Sequence, residues 1–318
     1  MHFFAFAVRA SRRAACFLWP ALMSLAVLPA AAQTSVTHAA GTTVVPAAPK
    51  SVLVFDLASL DTLQALGVEV KGVPTAKFPP QLAKYAGKGY VKVGSLFEPD
   101  YEAVNAARPD LIIIGGRSAA KYPELSKLAP TIDMTVSEKD HLGSIYSNAQ
   151  TLGRIFGKEA QAKALIEKAQ SSVAALKVQA AKSGKGMVVL TTGGKMSAYG
   201  PGARFGAVMH DTFGVPAAQA RLNASNHGQA ISNEFILQTN PEWLFVIDRD
   251  AAIGREGTSA QRLLDNELVR QTTAWKKQQV VYLDAVNWYV LGGAGLPSLQ
   301  ANVDQLSAAL KRGATTAR

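Results

Sequence analysis

A pattern written twice constrains this chain more than any other feature of its sequence. Pro99-Asp100-Tyr101-Glu102 leads to Pro109, an apolar run at residues 111–114 and then Arg117; Ile231-Ser232-Asn233-Glu234 leads to Pro241, an apolar run at 244–247 and then Arg249. In both copies Glu to Pro is seven residues and Pro to Arg is eight. Asp100 and Ser232 are good N-caps, each glutamate falls in the first turn of the helix that follows, and the proline closes that helix before a buried strand. Each arginine then leaves its strand at the carboxyl end, the edge at which open parallel sheets bind ligands. The repeat therefore predicts two lobes facing each other with the same edge, and a cleft with an arginine on each wall. Taken singly, Glu102 or Glu234 would do no more than offset a helix dipole, worth about 0.3 to 1 kcal/mol. Arg117 or Arg249 alone would read as a solvated loop arginine. Their matched placement argues for an outward docking role for the acids and a ligand role for the arginines.

The rest of the chain fits two lobes. Residues 51–55 read as a strand and 56–66 as a helix, with Leu57, Leu60, Leu63 and Leu66 at helical spacing before Gly67 stops it. Further strands are expected at 68–73, 91–93 and 111–114, with a short helix over 101–107; this alternation favours a parallel sheet. Residues 158–182 contain neither Gly nor Pro, and Leu165, Val173 and Leu176 mark an apolar stripe, so a long packed helix is expected there. A second series begins at 187–190, with strands near 244–247 and 280–283. The expected fold class is α/β: two Rossmann-like α/β lobes joined by a single long helix, with the ligand cleft between them. The boundaries are 33–157 for the first lobe, 158–183 for the linker helix and 184–318 for the second lobe.

Residues 1–32 stand apart as a secretory signal peptide. Arg9, Arg12 and Arg13 come early, an apolar stretch follows at 14–28, and Ala30-Ala31-Ala32 offers small residues for cleavage. Arg12-Arg13 leaves a twin-arginine route as the alternative. Cys16, the single cysteine, lies in this leader and is preceded by arginines instead of an apolar run, which argues against a lipid anchor. The chain after residue 32 has no thiol, so disulfides, thiolate metal sites and cysteine nucleophiles are excluded together. No later stretch approaches the roughly 20 apolar residues of a membrane span. A soluble periplasmic protein, monomeric, is expected.

The 318 residues, 48% of them hydrophobic and 18% charged, can build one large core or two ordinary ones. Net charge falls from +10 to about +7 without the leader, since 33 − 3 leaves 30 basic residues against 23 acidic. That balance suits an anionic ligand or surface. The lysines are dispersed, without runs or aromatic interleaving, so nucleic acid is not the expected partner.

Three further segments carry candidate binding groups. Tyr199-Gly200-Pro201-Gly202-Ala203-Arg204-Phe205-Gly206 is a tight loop whose backbone can approach a ligand, with Arg204 as a third basic group. Gly193-Gly194-Lys195-Met196 lacks the spacing and hydroxyl of a Walker loop. Among the histidines, His38 falls in a loose opening segment, and His141 and His210 read as satisfied helix histidines. His227 differs, because Asn223-Ala224-Ser225-Asn226-His227-Gly228 is a polar loop. Tyr289 follows the strand at 280–283 and lies beyond a sheet edge, where it is either a binding group or a core aromatic. No HExxH, GxSxG or zinc-type histidine cluster is present.

Taken together, the segments at 94–117 and 140–158, the Arg204 loop, Asn226-His227-Gly228, Asn233-Glu234 and Trp288-Tyr289 resemble the ferric-siderophore-binding proteins of bacterial ABC importers, in particular their catecholate branch of enterobactin and petrobactin type. The resemblance implies two α/β lobes on one rigid helix, with small closure on binding. It implies that Arg117, Arg204 and Arg249 surround an anionic ferric catecholate, that His227 and Tyr289 ligate Fe(III) beside the siderophore oxygens, and that Glu102 and Glu234 dock on an inner-membrane ABC permease. No permanently bound cofactor is implied; the Fe(III)-siderophore is cargo. A siderophore with four donor oxygens would leave iron two positions, which a phenolate and an imidazole can fill. Haem or a corrinoid is the alternative ligand. A periplasmic α/β hydrolase or ferric-siderophore reductase with His227 as base is the enzymatic alternative; neither a nucleophile nor an electron carrier is identifiable for it.

Overall fold

The computed structural model describes residues 1–3, 33–222 and 225–316. The expected signal peptide with Cys16 therefore lies outside the described residues, save for its first three, as do Asn223 and Ala224 of the polar loop. Residues 33–318 cluster as one unit, and everything below concerns that unit.

The opening segment is not loose. Strands β1 (Gln33–His38) and β2 (Gly41–Pro46) pair antiparallel as a hairpin. Each contributes one fully buried side chain, Val36 and Val45. The hairpin is tied to the first sheet by Ala39 N–H donating to the Asp133 carbonyl at 3.0 Å and Thr43 Oγ1 donating to the Thr131 carbonyl at 2.9 Å. One core residue per strand is too sparse a period-two signal to separate from coil.

The first sheet comprises β3 (Val52–Val54), β4 (Gly72–Val73), β5 (Val91–Lys92), β6 (Leu111–Ile114) and β7 (Thr131–Asp133), all parallel, in the order β5-β4-β3-β6-β7. Its central strands are buried along their whole length, as expected of apolar runs covered on both faces. Helix α1 (Leu57–Ala65) starts where Asp56 caps it by accepting from Ser59 N–H. It ends with Gly67 N–H on the Gln64 carbonyl and Val68 N–H on the Leu63 carbonyl, a Schellman closure. That closure explains why the strand expected over 68–73 shrinks to two residues: Val68 is consumed by the helix end, although Val68 and Val70 are both buried.

Helix α2 (Tyr101–Ala107) stands between β5 and β6. Helix α3 (His141–Ile155) precedes the bridging helix α4 (Glu159–Ala180), which buries Ala162, Ile166, Ala169, Val173, Leu176 and Ala180 along one stripe. Leu165, expected on that stripe, is only half-buried beside it. The second sheet comprises β8 (Gly186–Thr192), β9 (Lys195–Tyr199), β10 (Gln229–Ile231), β11 (Trp243–Asp248) and β12 (Val280–Tyr282), in the order β10-β9-β8-β11-β12. Here β8, β11 and β12 are parallel, whereas β9 runs antiparallel to both of its neighbours. The Gly193-Gly194 dipeptide, which is no phosphate loop, is the two-residue turn between β8 and β9, with Thr192 paired to Lys195. Both glycines have positive φ, as a type I′ hairpin requires.

Helix α5 (Asn233–Thr239) stands before β11, as α2 does before β6. Both are capped as the repeat predicts, Asp100 accepting from Ala103 N–H and Ser232 from Phe235 N–H. Both end on a left-handed residue, Arg108 at φ 45° and Asn240 at φ 44°, because the proline that follows disfavours a further helical residue. The chain closes with α6 (Leu296–Thr316), which packs against both α4 and α1. Thr62 Oγ1 and the buried Asp61 carboxylate on α1 accept its first free N–H groups, those of Leu296 at 3.2 Å and Ser298 at 2.8 Å.

Candidate functional site

The two sheets share a topological reversal. Numbered within itself, each has its chain order change direction at its central pair, β3/β6 in the first and β8/β11 in the second. Ligands bind at the carboxyl ends of such strand pairs. Phe55-Asp56 and Gly115-Gly116-Arg117 leave the first pair, and Thr192 and Arg249 leave the second. The repeat thus puts its two arginines at the same place in two sheets. Arg117 opens a turn (Gly116–Lys121) in which Gly116 N–H donates to Thr135 Oγ1 at 2.8 Å and Ser118 is buried. Arg249 is the first residue of a helix capped by Asp248, and its Nη1 donates to Thr192 Oγ1 at 3.2 Å.

The third arginine depends on a close approach. A Cβ on Gly206 would lie 1.9 Å from the Gly200 carbonyl oxygen, so the loop folds back on itself only with glycine there. Arg204 stands beside that contact with its guanidinium 4.3 Å from the centre of the Phe205 ring.

All three guanidiniums meet at Tyr289, on a π-helical turn (Val286–Val290) after β12. Their Cζ atoms lie 5.9 Å (Arg117), 5.0 Å (Arg204) and 5.4 Å (Arg249) from its ring centre, within cation–π range. Arg249 Nε donates to the phenol oxygen at 2.7 Å. Arg117 donates from Nη1 to the Val290 carbonyl and from Nη2 to the Tyr289 carbonyl, both at 2.8 Å. Burial lowers the Arg117 pKa, and the neighbouring Arg204 charge adds to that. Three like charges around one ring leave a site short of negative charge, and an anion entering it would supply what the protein omits.

A cleft of about 530 Å³ opens beside this cluster, lined by Arg117, Arg204, Tyr289 and the 134–142 segment; that volume suits a small-molecule ligand. Two lining residues escaped the sequence. Asp56 reads in the sequence only as a helix start; burial pushes its carboxyl up, opposed by bonds from Ser59 and by the charge of Arg117. His141, read as a satisfied helix histidine, lines the cleft instead. Burial lowers its pKa against a backbone bond at Gly292, and its Nδ1 is buried without a partner. The signal for Asp56 was available, since it leaves β3 at the same edge that singled out Arg117.

His227 is exposed on the turn before β10, which Ser225 closes by donating to the Gly228 carbonyl at 3.0 Å. Among the described residues, no hydrogen bond or ring contact joins His227 to Tyr289, and no group of three or more His, Cys, Asp or Glu side chains is placed to hold a metal. Glu102 and Glu234 are both exposed in the first turns of α2 and α5. No helix among the described residues is long and apolar enough to cross a membrane.

Comparison with known proteins places this architecture. A sequence profile of the family described as periplasmic binding protein matches residues 52–286. The petrobactin-binding protein YclQ of Bacillus subtilis is 43% identical over 273 residues, 85% of each chain. The ferric-anguibactin-binding protein FatB of Vibrio anguillarum is 35% identical over 277 residues, again 85% of each chain. The crystal structure of YclQ superposes with a TM-score of 0.84 at 41% identity, covering 88% of this chain and 99% of YclQ. That of VctP from Vibrio cholerae, a periplasmic catecholate-siderophore binding protein, superposes with a TM-score of 0.81 at 31% identity, covering 88% of this chain and 99% of VctP.

Proposed function

We propose, from the premise that this chain belongs to the periplasmic binding protein family, that it captures a ferric catecholate siderophore in the periplasm and delivers it to an inner-membrane ABC permease. The observation that carries this reading is the convergence of Arg117, Arg204 and Arg249 on Tyr289. Catecholate oxygens around Fe(III) leave the complex anionic, and planar guanidiniums offer it both charge and directed donors. A neutral corrinoid would gain nothing from three converging cations. YclQ, FatB and VctP, named for petrobactin, ferric anguibactin and a catecholate siderophore, support the same ligand class.

The protein acts by binding, without turnover, as an exported monomer whose lobes run from 33 to 157 and from 184 to 318. Tyr289 is already at the cleft and supplies a phenolate to iron whose siderophore leaves positions open. His227 supplies the imidazole when its exposed turn folds inward over the ligand. Glu102 and Glu234 face away on matched helices and engage the permease.

Titration followed by tryptophan fluorescence tests the reading, because Trp288 is buried beside Tyr289. A ferric bis- or tris-catecholate should quench it at stoichiometric concentration, with no response to ferric hydroxamate, haem or cobalamin. Quenching by haem or cobalamin alone would overturn the catecholate assignment.

A further inference from the structure

The segment that carries Tyr289 belongs to the second lobe by sequence, yet the first lobe holds it. Gln81 Nε2 donates to Asn287 Oδ1 at 3.0 Å, and Arg117 donates to the carbonyls of Tyr289 and Val290. The α1 side chains of Thr62 and Asp61 receive Leu296 and Ser298. The Arg117 contact differs in kind from the others. The carbonyls of Tyr289 and Val290 are the last of a five-residue π turn, where a helix end leaves acceptors unpaired. The chain then passes through Gly292 and Gly293, at φ 65° and 62°, and so cannot extend the turn to satisfy them. A guanidinium fork answers two adjacent carbonyls at once.

We propose that Arg117 is a positioning residue for Tyr289: its two terminal nitrogens clamp the end of the π turn across the cleft and aim the phenol before ligand arrives. Arg204 and Arg249 then make the complementary contribution from the second lobe, Arg204 on the ring face with a longer 3.4 Å bond to the Tyr289 carbonyl and Arg249 at the phenol oxygen. The positive charge of Arg117 still belongs to the anion site, but its geometric work is done on the backbone. The ligand part of this inference rests on the ferric catecholate reading; the clamp itself does not.

Hydrogen exchange on the ligand-free protein separates the two. Leu291 and Gly293 N–H donate within the segment, to the Val286 carbonyl at 3.1 Å and the Asn287 carbonyl at 3.0 Å, and so report its order. Arg117→Gln should speed their exchange about ten- to a hundredfold, the loss of two charge-assisted bonds. Arg249→Gln, which removes equal charge but bonds the phenol and Thr192 and not the 289–290 backbone, should leave it unchanged. Arg117→Lys keeps the charge and loses the fork, so it should also speed exchange, and it serves if the glutamine variant does not fold. With an Fe(III) bis-catecholate at saturation, both Arg117 variants should lose part of the tyrosinate-to-iron visible absorption per bound iron. Binding of an Fe(III) tris-catecholate should weaken less. Unchanged exchange in the Arg117 variants, or equal acceleration in Arg249→Gln, would overturn the clamp. Acceleration confined to the Arg117 variants in a protein that binds no ferric catecholate would uphold the clamp and sink the ligand reading alone.

Discussion

Arg249 Nε–H donates to the Tyr289 phenol oxygen at 2.7 Å, so one arginine already orients the oxygen of a ring whose centre the other two approach. Removing that oxygen in Tyr289→Phe leaves the ring, its packing and the three guanidiniums in place. An Fe(III) bis-catecholate should then bind about ten- to a hundredfold more weakly, the range expected for one charge-assisted interaction, and its tyrosinate-to-iron absorption should vanish. A tris-catecholate, coordinatively complete, should bind nearly as before. Visible titration of both complexes reads the difference.

Glu102 and Glu234 are exposed at the first turns of α2 and α5 and are not among the residues lining the cleft. Glu102→Arg with Glu234→Arg should abolish siderophore-dependent iron uptake in cells while ligand affinity of the purified protein stays within about twofold, a change of roughly 0.4 kcal/mol. A large affinity change would place these acids in ligand binding instead of docking.

Asp61 gives a prediction in pH. Burial raises its carboxyl from 3.8 to about 6 in the folded protein, against the bonds from Ser298. A raised folded pKa means that the unfolded chain releases this proton first. The stabilising contribution is therefore complete below pH 3.8 and is lost as pH rises through about 6, a swing on the order of 3 kcal/mol. Asp61→Asn keeps an oxygen for the Ser298 N–H and cannot ionise. Relative to the parent, its unfolding free energy should rise progressively between pH 4 and 7, with urea denaturation at several pH values as the check.

Gly206→Ala places a methyl 1.9 Å from the Gly200 carbonyl oxygen, and backbone on both sides leaves it no flexible neighbour to displace. A loss of about 2–4 kcal/mol in unfolding free energy is expected, with weakened anion binding as the Arg204 loop opens. Gly202→Ala faces open space but sits at φ 74° and should cost less, about 1 kcal/mol. Thermal and urea unfolding of the pair checks the order.

What could be read from the sequence was whatever depends on local rules. Capping, a first-turn acid and a closing proline fix α2 and α5, and the buried runs fix β6 and β11, so Arg117 and Arg249 fall at strand ends without any knowledge of the partner lobe. The β9–β10 pair was harder: β9 is a short strand whose burial does not alternate cleanly, and β10 lies beyond a long irregular stretch. Helix α6 carried a signal that strand ends do not reveal, Leu296, Leu299, Val303, Leu306 and Leu310 at spacings of three and four, all buried. His141 could not have been placed, because the cleft it lines is completed by Arg204, Tyr289 and Gly292, far later in the chain. Contacts of that range have no sequence signature.

The bridging helix α4 is not the only attachment between the lobes, since the first turn of α6 bonds back to α1. One strand of connection would act as a swivel, free to twist as well as bend. Two separate anchorages remove that freedom, because a twist about either one pulls on the bonds of the other.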